Sequence, residues 1–124
     1  MTKIYPLFIL IWVTFLLGTS CNTNIYLRPN INKKDINNQK NDLWICVDTV
    51  IDRIIISKYK NGKLNGYYLS YYYNNGILSE KGYYKNGEKY GVWRGYTIQG
   101  RPSSVIKYNR KGQVISIKLY NNGW

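Results

Sequence analysis

From Leu43 onward the chain consists of short aromatic or β-branched runs, each closed by a polar turn ending in glycine. Tyr59-Lys60-Asn61-Gly62, Tyr73-Asn74-Asn75-Gly76, Tyr84-Lys85-Asn86-Gly87, Tyr108-Asn109-Arg110-Lys111-Gly112 and Tyr120-Asn121-Asn122-Gly123 repeat one phrase, with Ile98-Gln99-Gly100 as a degenerate copy. The turn glycines follow one another at intervals of 11 to 14 residues, room for one strand and one tight turn. Asn-Gly between apolar runs is a hairpin signal, because a type I′ turn needs positive φ at both central positions. Aromatic residues facing each other across strands add roughly 0.2 to 1 kcal/mol per pair. The pattern predicts an all-β fold: a meander of repeated hairpins forming an elongated, twisted antiparallel sheet over residues 43–124.

Trp44 to Ser57 is less decided. Val47, Val50, Ile51, Ile54, Ile55 and Ile56 favour strand, but Val47, Val50, Ile51 and Ile54 also fit one face of a helix. Strand is preferred, as a cap on one end of the sheet. Gly66 and Gly91 each precede an aromatic or apolar strand, where close approach of rings or simple turn chemistry would require glycine.

Tyr59 to Leu64 (Tyr-Lys-Asn-Gly-Lys-Leu), Gly82 to Gly87 (Gly-Tyr-Tyr-Lys-Asn-Gly) and Tyr90 to Trp93 (Tyr-Gly-Val-Trp) resemble the bacterial variant of the MORN repeat, a group that includes YwqK-type, antitoxin-like proteins. The resemblance spans Tyr59 to about Tyr96 well and Lys107 to Trp124 loosely. It implies an architecture and a binding role, including neutralisation of a cognate toxin. Gln99 to Ser104 departs from the repeat, and Pro102 is placed to interrupt a strand edge. One hairpin has no interior of its own, so repeats of this kind bury aromatic faces by lying against their neighbours.

The N-terminal region follows different rules. Met1 to Ser20 has one charge, Lys3, an uncharged run from Ile4 to Leu17, then Gly18-Thr19-Ser20 before Cys21. The run is shorter than the roughly 20 residues of a spanning helix and reads as an export signal. Small residues before a cysteine resemble the lipobox of bacterial lipoproteins, which implies cleavage between Ser20 and Cys21 and lipidation of Cys21. Ordinary secretion into the periplasm or medium and an uncleaved anchor are the alternatives. Residues 21–42 hold seven asparagines and little apolar periodicity, so they are expected to form a flexible tether. Cys46, in Trp44-Ile45-Cys46-Val47, then reads as an unpaired, buried small hydrophobe.

Charge and missing side chains narrow the function. The chain carries +12 and no histidine; removing the signal takes away Lys3 alone. Without histidine the commonest general base is gone, and Cys46 by itself cannot bind zinc. Asp48 and Asp52 read as a solvated pair. The expectation is therefore a protein without enzymatic activity, metal or cofactor. A basic field attracts anionic lipid, acidic glycan or nucleic acid, and export argues against the last. Tyr68, Tyr72, Lys81, Lys85, Lys89 and Arg94 form the candidate binding surface, with packing as the competing role of the tyrosines. The sequence thus predicts a membrane-anchored envelope lipoprotein whose repeats bind a protein partner. An antitoxin or immunity protein and a sheet binding anionic lipid or glycan are the alternatives.

Overall fold

The computed structural model describes residues 21–22 and 31–121. Residues 1–20, read above as an export signal, residues 23–30, and residues 122–124, with the turn expected at Asn122-Gly123, lie outside the described residues. Among the described residues all regular structure is strand: β1 Cys21–Asn22, β2 Asp42–Asp48, β3 Arg53–Lys60, β4 Lys63–Tyr72, β5 Leu78–Lys85, β6 Glu88–Tyr96, β7 Pro102–Tyr108 and β8 Val114–Leu119. They form one open antiparallel sheet in chain order, the meander read from the sequence.

The turns show why. Asn61 and Gly62 have φ of 51° and 78°, and Asn86 and Gly87 have 51° and 86°, the paired positive values of a type I′ hairpin. Asn75-Gly76 differs, since only Gly76 is positive. Five residues, Tyr73 to Ile77, join β4 to β5 there, and Asn75 accepts the Ile77 N–H through its side chain at 3.0 Å. Pro102 opens β7 and pairs with Tyr96, a position where its missing donor does little harm.

Trp44 to Ser57 is a hairpin instead of a single element. The Asp48 carboxylate turns the chain by accepting the N–H groups of Val50 and Ile51 at 3.0 and 3.2 Å. Asp52, at φ 56°, accepts from Asn74 at 2.8 Å. These two carboxylates are turn formers.

Residues 31–41 depart from the expected tether. The Asn32 amide accepts the Ile45 N–H at 2.8 Å and donates to the Ile45 carbonyl at 3.1 Å. Ile31 bridges Leu43, and Asp35 accepts from Asn37 and Gln39 in a local turn. An asparagine side chain has the donor and acceptor of a peptide group, so an asparagine-rich stretch can satisfy a strand edge without an apolar face of its own.

Strand pairing fixes two faces. On one, Trp44, Ser57, Tyr68 and Gly82 lie in register across β2 to β5. Trp93 then lies over Gly82, where a Cβ would stand 2.1 Å from the indole. Tyr68 and Tyr84 flank Trp93 at centroid distances of 5.4 and 4.9 Å, with Tyr108 at 6.4 Å on the far side. Trp93 is 2% exposed, and its Nε1–H donates to the Tyr83 carbonyl at 3.1 Å. Buried Ser57 and Ser70 leave room for the rings around Tyr68. Trp44 and Tyr59 form a smaller edge-to-face pair at 6.0 Å. Of the glycines singled out in the sequence, Gly66 is a close approach, a Cβ there meeting that of Lys58 at 2.9 Å. Gly91 has open space and a φ of 69°, so conformation alone selects it.

Gly82→Ala should cost about 1 to 3 kcal/mol through overpacking against Trp93, and Trp93→Ala about 3 to 5 kcal/mol. Urea unfolding of both variants and the double variant tests the contact. The alanine at 82 should cost far less once the indole is gone, and additive costs would refute direct packing.

Candidate binding face

The six candidate surface residues divide between the two faces. Tyr68, Tyr72 and Lys89 lie on the aromatic face, and Lys81, Lys85 and Arg94 on the other, because side chains alternate along each strand. The two groups do not form one site.

On the aromatic face the cations are tied down. Lys89 Nζ lies 3.9 Å from the Trp93 ring centroid and 3.0 Å from Glu80 Oε1. Arg53 stacks on Tyr72 at 4.1 Å and donates to Ser79 at 3.1 Å, while the Tyr72 hydroxyl donates to the Tyr96 carbonyl at 2.8 Å. Lys40, from the docked segment, sits 4.6 and 4.9 Å from the rings of Trp44 and Tyr59. Each such contact contributes about 0.5 to 1 kcal/mol at an exposed site and more when dry. These cations act as lids on the rings. Burial pushes the Tyr68 phenol up to about 12, with the Glu80 carboxylate adding to the effect. Burial also raises Tyr59 and Tyr84.

The opposite face is open. Lys81 stands directly across from Arg94, and the same row continues through Val105 to Lys118. Lys58, Lys85 and Lys107 are also exposed. Tyr67, Tyr83 and Tyr90 make a parallel row, with Tyr67 and Tyr83 40% and 47% exposed. Lys58 lies 5.1 Å from the Tyr67 ring, and Lys85 5.7 Å from Tyr90. Tyr83, Lys85, Tyr90 and Val92 border a shallow hollow of about 510 Å³ with Asn65 and Gly91. Among the described residues no carboxylate pairs with Lys81 or Arg94. Glu80 is on the other face, Asp48 and Asp52 are in a turn, and Glu88 lies at the hairpin end opposite Lys85.

The residues selected from the sequence did not include Lys58, Lys107, Lys118, Tyr83 or Tyr90. Strict alternation gives Lys81, Tyr83 and Lys85 one face. Carrying that face across strands requires the register shifts between Ser57 and Tyr59 and between Lys81 and Tyr83, which the sequence does not spell out.

Among the candidate lipidation and cleavage residues, Ser20 lies outside the described residues, and the backbone of Cys21 pairs with Asp48. Cys46 is half-buried and disulfide-bonded, which corrects its reading as an unpaired thiol. The chain has one other cysteine, Cys21. Among the described residues no cluster of three His, Cys, Asp or Glu side chains is placed to hold a metal ion. Comparison with known proteins found no matching family model, curated protein or solved structure.

The raised phenols make stability fall at high pH. The unfolded chain releases these protons near pH 10, whereas folded Tyr68 keeps its proton to about 12. Stability is therefore full below about pH 10 and declines between pH 10 and 12. Phenolate absorbance should show a late-ionising set of tyrosines in the folded protein that disappears in denaturant. Tyr68→Phe should remove part of that set and flatten the decline; one uniform titration in the folded state would contradict the assignment.

Proposed function

We propose that this chain is an exported, non-catalytic binding module of the cell envelope, whose basic face takes an acidic partner. The observation carrying this reading is Lys81 directly opposite Arg94 with, among the described residues, no carboxylate paired to either. Like charges facing each other across strands weaken pairing, so the isolated sheet gains nothing from them. A carboxylate, sulfate or phosphate between them removes the repulsion and gains two charge-assisted hydrogen bonds. The exposed tyrosines beside the cations supply flat, amphipathic contact area suited to sugar rings or headgroup surfaces. We read the repeats as MORN-like, on the recurrence of their turns and of the aromatic positions before them.

Export is supported by the segment Ile4 to Leu17 and by the oxidised state of Cys46, since disulfides persist in oxidising compartments. A disulfide within one chain uses Cys21, and the thioether of a lipoprotein uses the same sulfur. Anchored and cross-linked forms of Cys21 are therefore mutually exclusive.

Binding to an immobilised sulfated glycan and to vesicles containing an anionic phospholipid should weaken steeply with salt. Lys81→Glu with Arg94→Glu should weaken it at least about tenfold, given about 1 kcal/mol per basic residue at an anionic surface. Lys89→Gln should lower stability and leave binding nearly intact. Binding that ignores salt and charge reversal would sink the proposal. Intact mass of the protein recovered from cells separates the two fates of Cys21: the cross-linked form is two hydrogens lighter than after reduction, and the anchored form carries acyl chains.

A further inference from the structure

The two edges of the sheet differ. The outer edge of β2 is occupied along its length: β1 pairs with Asp48 and Val47, Asn32 brackets Ile45 with two hydrogen bonds, and Ile31 bridges Leu43. At the other edge, β8 pairs with β7 on one side, and the described residues place nothing against its other side. Every residue of β8 is exposed, including Val114, Ile115, Ile117 and Leu119, the last two at 61% and 70%. A strand edge this apolar, with Lys118 its one charge, is open to pairing, and natural sheets ordinarily blunt such edges further.

We propose that two copies of this chain join edge to edge through antiparallel β8 strands, with the two-fold axis at Ile117, forming one continuous sheet. The backbone phase and the side chains select the same register. The Tyr120 N–H donates to the Ser103 carbonyl at 2.9 Å, and residues 116–119 keep that register against β7, so Ser116 and Lys118 bond to β7 and the groups of Ile117 and Leu119 point outward. An axis at Ile117 sets Ile117 against Ile117 and brings Leu119 beside Ile115 of the second copy, the residue at the bulge that ends the regular ladder. The paired Ile117 side chains join the rows that run from Trp93 through Ile106 in each copy. On the basic face the same register sets Lys118 opposite Ser116.

Competing registers are worse. A shift of the pairing by one residue sets outward groups against inward ones and breaks the ladder. An axis at Lys118 opposes two lysines. An axis at Ser116 sets Leu119 against Gln113 and leaves Tyr120 without an apolar partner. β8 reads nearly as an apolar and polar palindrome about Ile117, which is the requirement for a self-complementary two-fold interface. Joining the copies also brings their two basic faces to the same side of the sheet.

The test uses the full chain in mild detergent. Light scattering should give the mass of two copies, and Ile117→Lys, which opposes two lysines on the axis, should halve it with the strand circular dichroism retained. Under mild oxidation Ile117→Cys should give a reducible dimer, since hydrogen-bonded antiparallel partners stand about 5.5 Å apart at Cα, within disulfide range. Val114→Cys should not, because its counterpart lies about 20 Å along the ladder. The cross-link decides the matter even if Ile117→Lys fails to fold. A monomeric wild-type mass, or cross-linking through Val114→Cys as efficient as through Ile117→Cys, would overturn the proposal.

Discussion

A single-layered sheet has no second layer to cover its apolar side, so whatever is buried must be buried by side chains of the sheet itself. The indole of Trp93 lying across Gly82 meets that constraint. Removing one side chain from β5 lets a ring from β6 lie flat over the backbone, and Tyr68, Tyr84 and Tyr108 then close around it edge-on. The result is a strip of interior one ring thick, crossing β4 to β7. Its edges are sealed by the stems and charges of lysines, whose methylenes cover apolar surface while the ammonium stays wet.

That construction explains why basic residues have opposite roles on the two faces. Lys89 sits over the indole of the strip and Lys40 over the Trp44–Tyr59 pair, so their charge is already engaged. Lys81, Arg94 and Lys118 project from the face that has no aromatic strip beneath it. A shared positive charge in the composition thus covers two different jobs. Position relative to the pleat separates them, and residue type does not.

The meander and its tight turns were legible because the turn chemistry is local: Asn61-Gly62 and Asn86-Gly87 need nothing beyond their own φ preferences. The site was less so. The selected set Tyr68, Tyr72, Lys81, Lys85, Lys89 and Arg94 mixed two faces, since bulges reset the alternation between neighbouring strands. Gly82 looked like one more glycine before an aromatic pair, because its reason is a ring eleven residues away. The docked segment 31–41 was missed for a related cause. Composition registers the lack of an apolar face in an asparagine-rich stretch, but it does not register that an amide such as Asn32 can complete a strand edge in place of a peptide group.

The same docked segment gives the sheet a direction. A repeat architecture grows by adding strands, and each internal strand presents to its successor an edge like the one its predecessor presented. Growth ends where an edge is filled by something that is not a repeat. At β2 that filling is the Asn32 bracket, the Ile31 bridge and the β1 pairing, none of which offers a further edge of comparable length. At β8 no such device follows among the described residues, and four of its six residues are apolar, with Lys118 its one charge. Among the described residues the sheet is filled at one edge and open at the other, and such a sheet stops at two copies when the open edges meet. Had both ends been open, the same apolar edge would have specified a filament.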